Sequence, residues 1–316
     1  MTAAAEMTPE DVARSGAQII EAVTGAVTAP PDSVEQLVVA LLAGGHVLIE
    51  DLPGVGKTAL ARALAASTGC VYSRIQCTSD MLPSDVTGVN VFSEPDRSFR
   101  FRAGPVFANI VLVDEINRAS AKTQSGLLEC MQERRVTVDG TTHELPLPFI
   151  VVATQNPVDF EGTYPLPAAQ LDRFMLRVTL GYPAADAESE MLARHAAGDR
   201  VLDIRATVAA EQLLAAQACV AATHASDALR AYVVAVLEAT RTDPRIELGA
   251  SPRAGLQLLR AAMARSTLRG RAYALPDDVQ TLATAVLTHR LILRPGVADD
   301  ERARVVEDAI ARVPAL

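Results

Sequence analysis

Two short stretches carry residue types suited to phosphate chemistry. The first, Asp51-Leu52-Pro53-Gly54-Val55-Gly56-Lys57-Thr58, follows an apolar run and opens a helical pattern. Glycines there let backbone N–H groups curl around phosphate oxygens, and the helix start adds partial positive charge. Lys57 is suited to reach β- and γ-phosphates, and the Thr58 hydroxyl to ligate Mg2+. The strict pattern has glycine at the first position, where this chain has Asp51. The second stretch, Asn109 to Arg118, is an apolar run ending in Asp114 and Glu115. Phosphoryl transfer needs one carboxylate near the metal and a second group to position the attacking water, and two successive residues at a strand end point in different directions. Taken singly, each stretch also reads as a glycine turn or as a strand end entering solvent. Together they indicate a nucleotide-binding chain that hydrolyses a phosphoanhydride. Only two of its basic residues are lysines, Lys57 and Lys122, against 27 arginines, and one of the two sits in the glycine loop.

Elements to hold these residues are legible around them. Strand-like runs occur at 46–50, 71–76, 109–114, 149–154 and 175–180, each followed by polar or glycine-rich residues, which predicts a parallel sheet covered on both faces. Helical patterns fit at 58–67, 79–86 and 122–133. Two segments break the alternation. Residues 88–104 read as a β-hairpin around Glu94-Pro95-Asp96-Arg97, and residues 134–146 as another around Asp139-Gly140. From about Ala184 strand signals stop and alanine-rich amphipathic helices follow. The expected architecture is therefore an α/β core over residues 1–183 and a smaller all-α domain over 184–316, with the change placed near 183–204.

The 316 residues carry a net charge of −9, which argues against a protein that coats nucleic acid. The longest apolar candidate, Leu37 to Ile49, is too short for a membrane span and is broken by two glycines and a histidine. Residue Glu6 stands where a signal peptide would be basic or apolar. Four cysteines show no CxxC pair or metal-ligand spacing, so reduced thiols in a cytoplasmic protein are expected. His143 and Cys130 lack ligand-spaced partners and read as structural, and Asp299-Asp300-Glu301 as a solvated helix start.

The runs LIEDLPGVGKTALARALA, IVLVDEINRASAKTQSGLLECMQE, FIVVATQNP, LPAAQLDRFMLRV and GASPRA occur in an order and spacing that resemble MoxR-type AAA+ ATPases, from about Leu37 to Arg294. That resemblance implies a P-loop AAA+ core with β-hairpin inserts and a helical lid. It implies ATP as the nucleotide, held by Asp51, Pro53, Gly54, Val55, Gly56, Lys57, Thr58 and Ala59, with Mg2+ at Thr58 and Asp114 and Glu115 activating water. Asn156 would be sensor 1 at the γ-phosphate or the attacking water, Arg173 an arginine finger reaching a neighbouring subunit's nucleotide, and Arg253 sensor 2, contacting phosphates from the lid. Outside the resemblance, Asn156 before Pro157 reads equally as a turn residue, Arg173 as an ion-pair partner of Asp172, and Arg253 as one of many lid arginines. The family's acidic replacement at the first loop position accommodates Asp51. Its Gly-Gln pair ahead of the first core helix is Ala29-Pro30 here, so Val27 to Asp32 would hold the base differently. The resemblance further implies a homo-oligomer, expected to be hexameric, that remodels or matures a protein client, often with a von Willebrand factor A-domain protein. Two other classes remain open from sequence alone: a nucleic-acid motor, which the net charge disfavours, and a nucleotide-switched scaffold with little turnover.

Overall fold

Five apolar strands build the sheet on which the molecule is organised. In the computed structural model, which describes residues 6–315 apart from 53, 96, 157–162, 183–184, 187 and 190–203, they are β1 (Val47–Glu50), β2 (Tyr72–Gln76), β5 (Ile110–Asp114), β8 (Ile150–Gln155) and β9 (Leu176–Val178). They pair in parallel in the order β2-β5-β8-β1-β9. Every residue of β5 is buried, as are the first five of β8, which explains their unbroken apolar runs: strands with both faces covered have no polar side to alternate with. Each strand's ends fall within two residues of the run that predicts it.

Two helices precede β1. Helix α1 (Pro9–Ala26) starts at Thr8, whose side chain accepts from the Asp11 amide while the Asp11 carboxylate accepts from the Thr8 amide. Helix α2 (Pro31–Ala43) contains most of the long apolar run, and Leu37 through Ala43 are all buried. It ends at Gly44, whose left-handed φ of 62° turns the chain straight into β1. That run is a core helix, and among the described residues no helix is long and apolar enough to cross a membrane.

Helix α3 (Lys57–Ser67) follows the glycine loop, and a short α4 (Pro83–Thr87) leads into the hairpin of β3 (Gly88–Ser93) and β4 (Ser98–Ala103). Helix α5 (Ala121–Glu133), capped by the Ser120 hydroxyl on the Thr123 amide, leads into the second hairpin, β6 (Arg135–Val138) and β7 (Thr141–Glu144). Its turn residues Asp139 and Gly140 both have positive φ, 49° and 79°, the geometry that matches strand twist in a two-residue turn. A single turn, α6 (Ala168–Leu171), precedes β9.

The C-terminal part contains α7 (Ala210–Ala221), α8 (Asp227–Arg241), α9 (Pro252–Leu268), α10 (Pro276–Leu287) and α11 (Glu301–Arg312). It also holds a two-stranded antiparallel ribbon, β10 (Ile246–Leu248) with β11 (Ile292–Leu293), that no sequence pattern announces. The proposed domain change near 183–204 lies largely outside the described residues. Helix α9 packs against α1 and α2, and α10 against β9, so one hydrophobic core runs from the sheet into the helices. A buried ion pair fastens the same junction. The Arg290 guanidinium donates from Nε to Asp172 Oδ1 at 2.8 Å, and burial pulls Arg290 down to about 10 although Asp172 opposes that shift.

His46 fixes the start of β1. Its Nδ1 accepts from the Val151 amide and its Nε2 donates to the Met131 carbonyl, both at 2.9 Å. Burial holds the imidazole neutral with its pKa lowered to about 4; the bond to Met131 opposes this and the Arg134 charge adds to it. An unfolded histidine titrates near pH ~6.5, so the unfolded chain binds this proton first and the stabilisation, complete above that pH, is lost as pH falls toward 4, by about 3 kcal/mol. Urea denaturation should therefore show a midpoint that drops across this window, with a shallower drop in His46→Gln. Parallel pH profiles for the two proteins would contradict the assignment.

Candidate active site

The C-terminal ends of β1, β5 and β8 lie side by side, and the candidate residues sit on them. After β1 the chain enters the loop, where Gly54 and Gly56 take φ values of 86° and 89° and nothing stands within 4 Å of where a Cβ would be. Backbone conformation, rather than crowding, demands glycine here, and the space left open is a cradle. Gly56 is the N-cap of α3. Lys57 folds back over the loop, its Nζ donating to the Asp51 carbonyl at 2.6 Å.

A cavity of about 410 Å3 opens above these strand ends, bounded on one side by Gly54, Gly56, Lys57, Thr58 and Ala59 and on the other by Asp114, Glu115, Thr154 and Asn156. Asp114 ends β5 and is buried. Its Oδ2 accepts from Arg74 Nε at 2.7 Å and lies 3.5 Å from Thr58 Oγ1, while Oδ1 accepts from the Thr154 hydroxyl at 3.2 Å. Glu115, the next residue, is in the left-handed region (φ 55°, ψ 52°), which turns its side chain away from that of Asp114. Its amide donates to Thr154 Oγ1 at 2.9 Å, and its Oε2 accepts from Gln76 Nε2 at 3.2 Å and Arg118 Nη1 at 3.0 Å. One buried hydroxyl, that of Thr154, thus binds both the Asp114 carboxylate and the Glu115 backbone.

Sequence reasoning singles out Thr58, Asp114, Glu115 and Asn156, and the structure brings them together. It misses Thr154, Arg74 and Gln76. The available signal is a lone threonine directly after the apolar run Phe149 to Ala153. In the parallel register Val113 pairs with Ala153, which puts Thr154 beside Asp114.

One of the expected loop residues turns its side chain elsewhere. The Asp51 carboxylate does not line the cavity. It accepts from the Leu52 amide at 2.8 Å and from the amides of Leu180 and Gly181 at 2.5 and 2.6 Å, tying the loop's first residue to the chain leaving β9. Val55 packs on the hydrophobic core. Pro53 is outside the described residues. Ala29, of the Ala29-Pro30 pair, also packs against the core.

Arg173 and Arg253 are brought together, but not at this cavity. They line a second, smaller one of about 140 Å3 with Gly44, Gly45 and His46. Those three residues lie at the N-terminal end of β1, whereas the loop lies at its C-terminal end, about 16 Å away along the strand. Asp172 is engaged by Arg290 and the Ser251 hydroxyl, so the ion pair of Asp172 with Arg173 is not formed. Arg253 likewise lies away from the loop of its own chain. The physical reason is the seating of α9 against α1 and α2, which holds its first turn at the far end of the sheet.

The sequence pattern of the ATPase family associated with various cellular activities (AAA) matches residues 46–176, and that of the AAA lid domain matches 238–312. The protein YeaC of Bacillus subtilis is 49% identical over 256 residues, covering 81% of this chain and 80% of that protein. Chaperone MoxR1 of Mycobacterium tuberculosis is 41% identical over 293 residues, covering 90% of this chain and 77% of that one. A crystal structure of a Cytophaga hutchinsonii protein assigned as an ATPase superposes with a TM-score of 0.90 at 34% identity, covering 98% of this chain and 97% of the other.

The anchoring of Asp51 makes a test that runs against the motif. Asp51→Gly restores the strict glycine pattern but leaves the Leu180 and Gly181 amides without their acceptor. It should lower unfolding stability by about 2–4 kcal/mol, since bonds to a charged acceptor contribute about 1.5–3 kcal/mol each and unmade ones cost similarly. Chemical denaturation of the two proteins measures it, and a neutral or stabilising result would show that the carboxylate is dispensable.

Proposed function

The chain belongs to the MoxR family of AAA+ ATPases, and on that premise we propose that it hydrolyses ATP in the 410 Å3 cavity, with Mg2+, and couples turnover to remodelling or maturing a protein client. The observation that carries the reading is the Thr154 hydroxyl bound to both the Asp114 carboxylate and the Glu115 amide, with Asp114 facing Thr58 in the first turn of α3. The open glycine cradle, the start of α3 and Lys57 would receive the triphosphate. The donor set fits Mg2+: a buried carboxylate oxygen and a threonine hydroxyl face each other 3.5 Å apart, both hard oxygen ligands. Bound there, the ion would neutralise developing phosphoryl charge. Glu115, turned off the strand and steadied by Gln76 and Arg118, would accept the proton of the attacking water. Asn156, at the end of β8, would orient that water or the γ-phosphate, since an amide both donates and accepts.

The far placement of Arg173 and Arg253 supports their acting on the nucleotide of another copy, which makes the competent form a homo-oligomer; a hexamer is the state proposed. Chaperone-like work follows the name of the mycobacterial relative, and a von Willebrand factor A-domain protein is the proposed companion. The net charge of −9 favours a protein client over nucleic acid. A cytoplasmic location is part of the same proposal.

The rate of hydrolysis per chain, measured against protein concentration, tests this. It should rise with concentration and require Mg2+. Glu115→Gln should lose roughly 10²-fold or more and Arg173→Ala roughly 10³-fold, as expected for a general base and a trans arginine. A rate independent of concentration and indifferent to Arg173→Ala would reject the intersubunit site. Arg74 provides a second measurement, because its guanidinium holds the same Asp114 oxygen that faces Thr58. In Arg74→Ala the Mg2+ concentration needed for half-maximal thermal stabilisation by a non-hydrolysable ATP analogue should fall several-fold. An unchanged requirement would mean that Arg74 does not compete with the cation.

A further inference from the structure

We propose that the cleft at the N-terminal end of β1 is a binding site for a phosphate-class oxyanion, with Arg134 and Arg260 as its inner cations beside Arg173 and Arg253. The cleft holds about 140 Å3, room for a tetrahedral anion, and those four arginines line it. No carboxylate lines it, although the chain has 38 acidic residues, and among the described residues none of the four arginines has an ion-pair partner. Like charges gathered in a recess repel, and that arrangement persists at least cost when an anion sits among them.

The inner pair is close. Arg134 Nη2 and Arg260 Nη2 lie 3.4 and 3.8 Å from the one point where a Cβ on Gly44 would be, so any side chain at that position would fill the gap between them. Each guanidinium spends one Nη2 on a carbonyl at the end of α2, Arg134 on Gly44 at 3.5 Å and Arg260 on Ala43 at 2.8 Å. Capping that helix is the simpler role for both. It uses one of five donors on each fork and leaves the others for the cavity. Burial and the Arg134 charge both pull Arg260 below the usual arginine range, as expected of a cation lacking a counter-ion.

Two backbone facts point the same way. Arg134 is the C-cap of α5 with φ 54°, a left-handed position where glycine would be relaxed and a long cation is held instead. Arg253 stands in the first turn of the 17-residue helix α9, whose N-terminal partial charge repels an arginine and attracts an anion. One face of α9, carrying Arg253, Gln257 and Arg260, therefore meets Arg134 and Arg173 at one recess. Charge-assisted, two-pronged bonds from arginine suit phosphate oxygens.

Two sources share this chemistry: the terminal phosphate of a nucleotide held by a second copy of this chain, which rests on the function proposed above, and free inorganic phosphate. Calorimetric titration of the full chain with inorganic phosphate, in a Lys57→Ala background that weakens the loop's own phosphate site, reads the cleft directly. Binding should weaken at least tenfold on adding Arg134→Gly, and further with Arg260→Gln. Arg134→Gly relieves a left-handed arginine, so lost binding cannot be put down to a lost fold; its denaturation midpoint serves as the check. In a second arm, ATP-dependent self-association of Glu115→Gln is followed by sedimentation. Association weakened at least tenfold by Arg134→Gly supports the neighbouring nucleotide as source. Phosphate binding lost with association unchanged supports free phosphate. If Arg134→Gly and the double variant alter neither, the cleft is not an anion site and the two arginines only cap α2. Turnover that still collapses in Arg173→Ala would then show that the proposed function survives without this inference. Phosphate binding that persists while Arg173→Ala is silent would show the reverse.

Discussion

The Asp114 carboxylate is the constraint around which the rest is arranged. It is buried at the end of a strand with no exposed residue, where an ionised group is costly unless donors surround it. Thr154 from β8, Arg74 from β2 and Thr58 from α3 are those donors, one from each element adjoining β5 or packed on it. Meeting the needs of one carboxylate therefore sets the relative positions of three elements. It also makes the order β2-β5-β8 a chemical requirement as well as a packing solution.

A second fastening acts on β1. His46 holds its beginning to β8 and α5, and Asp51 holds its end to the chain leaving β9. The loop thus leaves a strand clamped at both ends. Asp51 shows why a motif read letter by letter misleads. Glycine at that position would serve the phosphate, while aspartate serves the neighbouring strand, and Gly54 and Gly56 suffice for the cradle.

Much of this was legible in the chain. The five strands announce themselves because a parallel sheet buried on both faces needs unbroken apolar runs, and Asp139-Gly140 announces its hairpin because few residues tolerate two left-handed positions. Thr58, Asp114 and Glu115 are legible through the order of residue types around a strand and a helix start. What was hidden depends on which strand lies beside which. Arg74 and Thr154 matter only because β2 and β8 flank β5, and no local pattern states that. The ribbon of β10 and β11 is too short for periodicity to reveal. The place of Arg253 was hidden for the same kind of reason: it follows from how α9 seats against α1 and α2, which are far off in sequence.

The two cavities lie at opposite ends of the same strand, and this has a counting consequence. A contact that sets the arginine cleft of one copy against the nucleotide pocket of another joins unlike surfaces, so repeating it head to tail gives a ring where the rotation closes and an open row where it does not. An open row of such copies always ends with one pocket unserved and one cleft unused. Only a closed circuit would set a cleft against every pocket. The loss from opening the circuit at one point is one site's worth of chemistry, and its relative weight shrinks as the circuit grows.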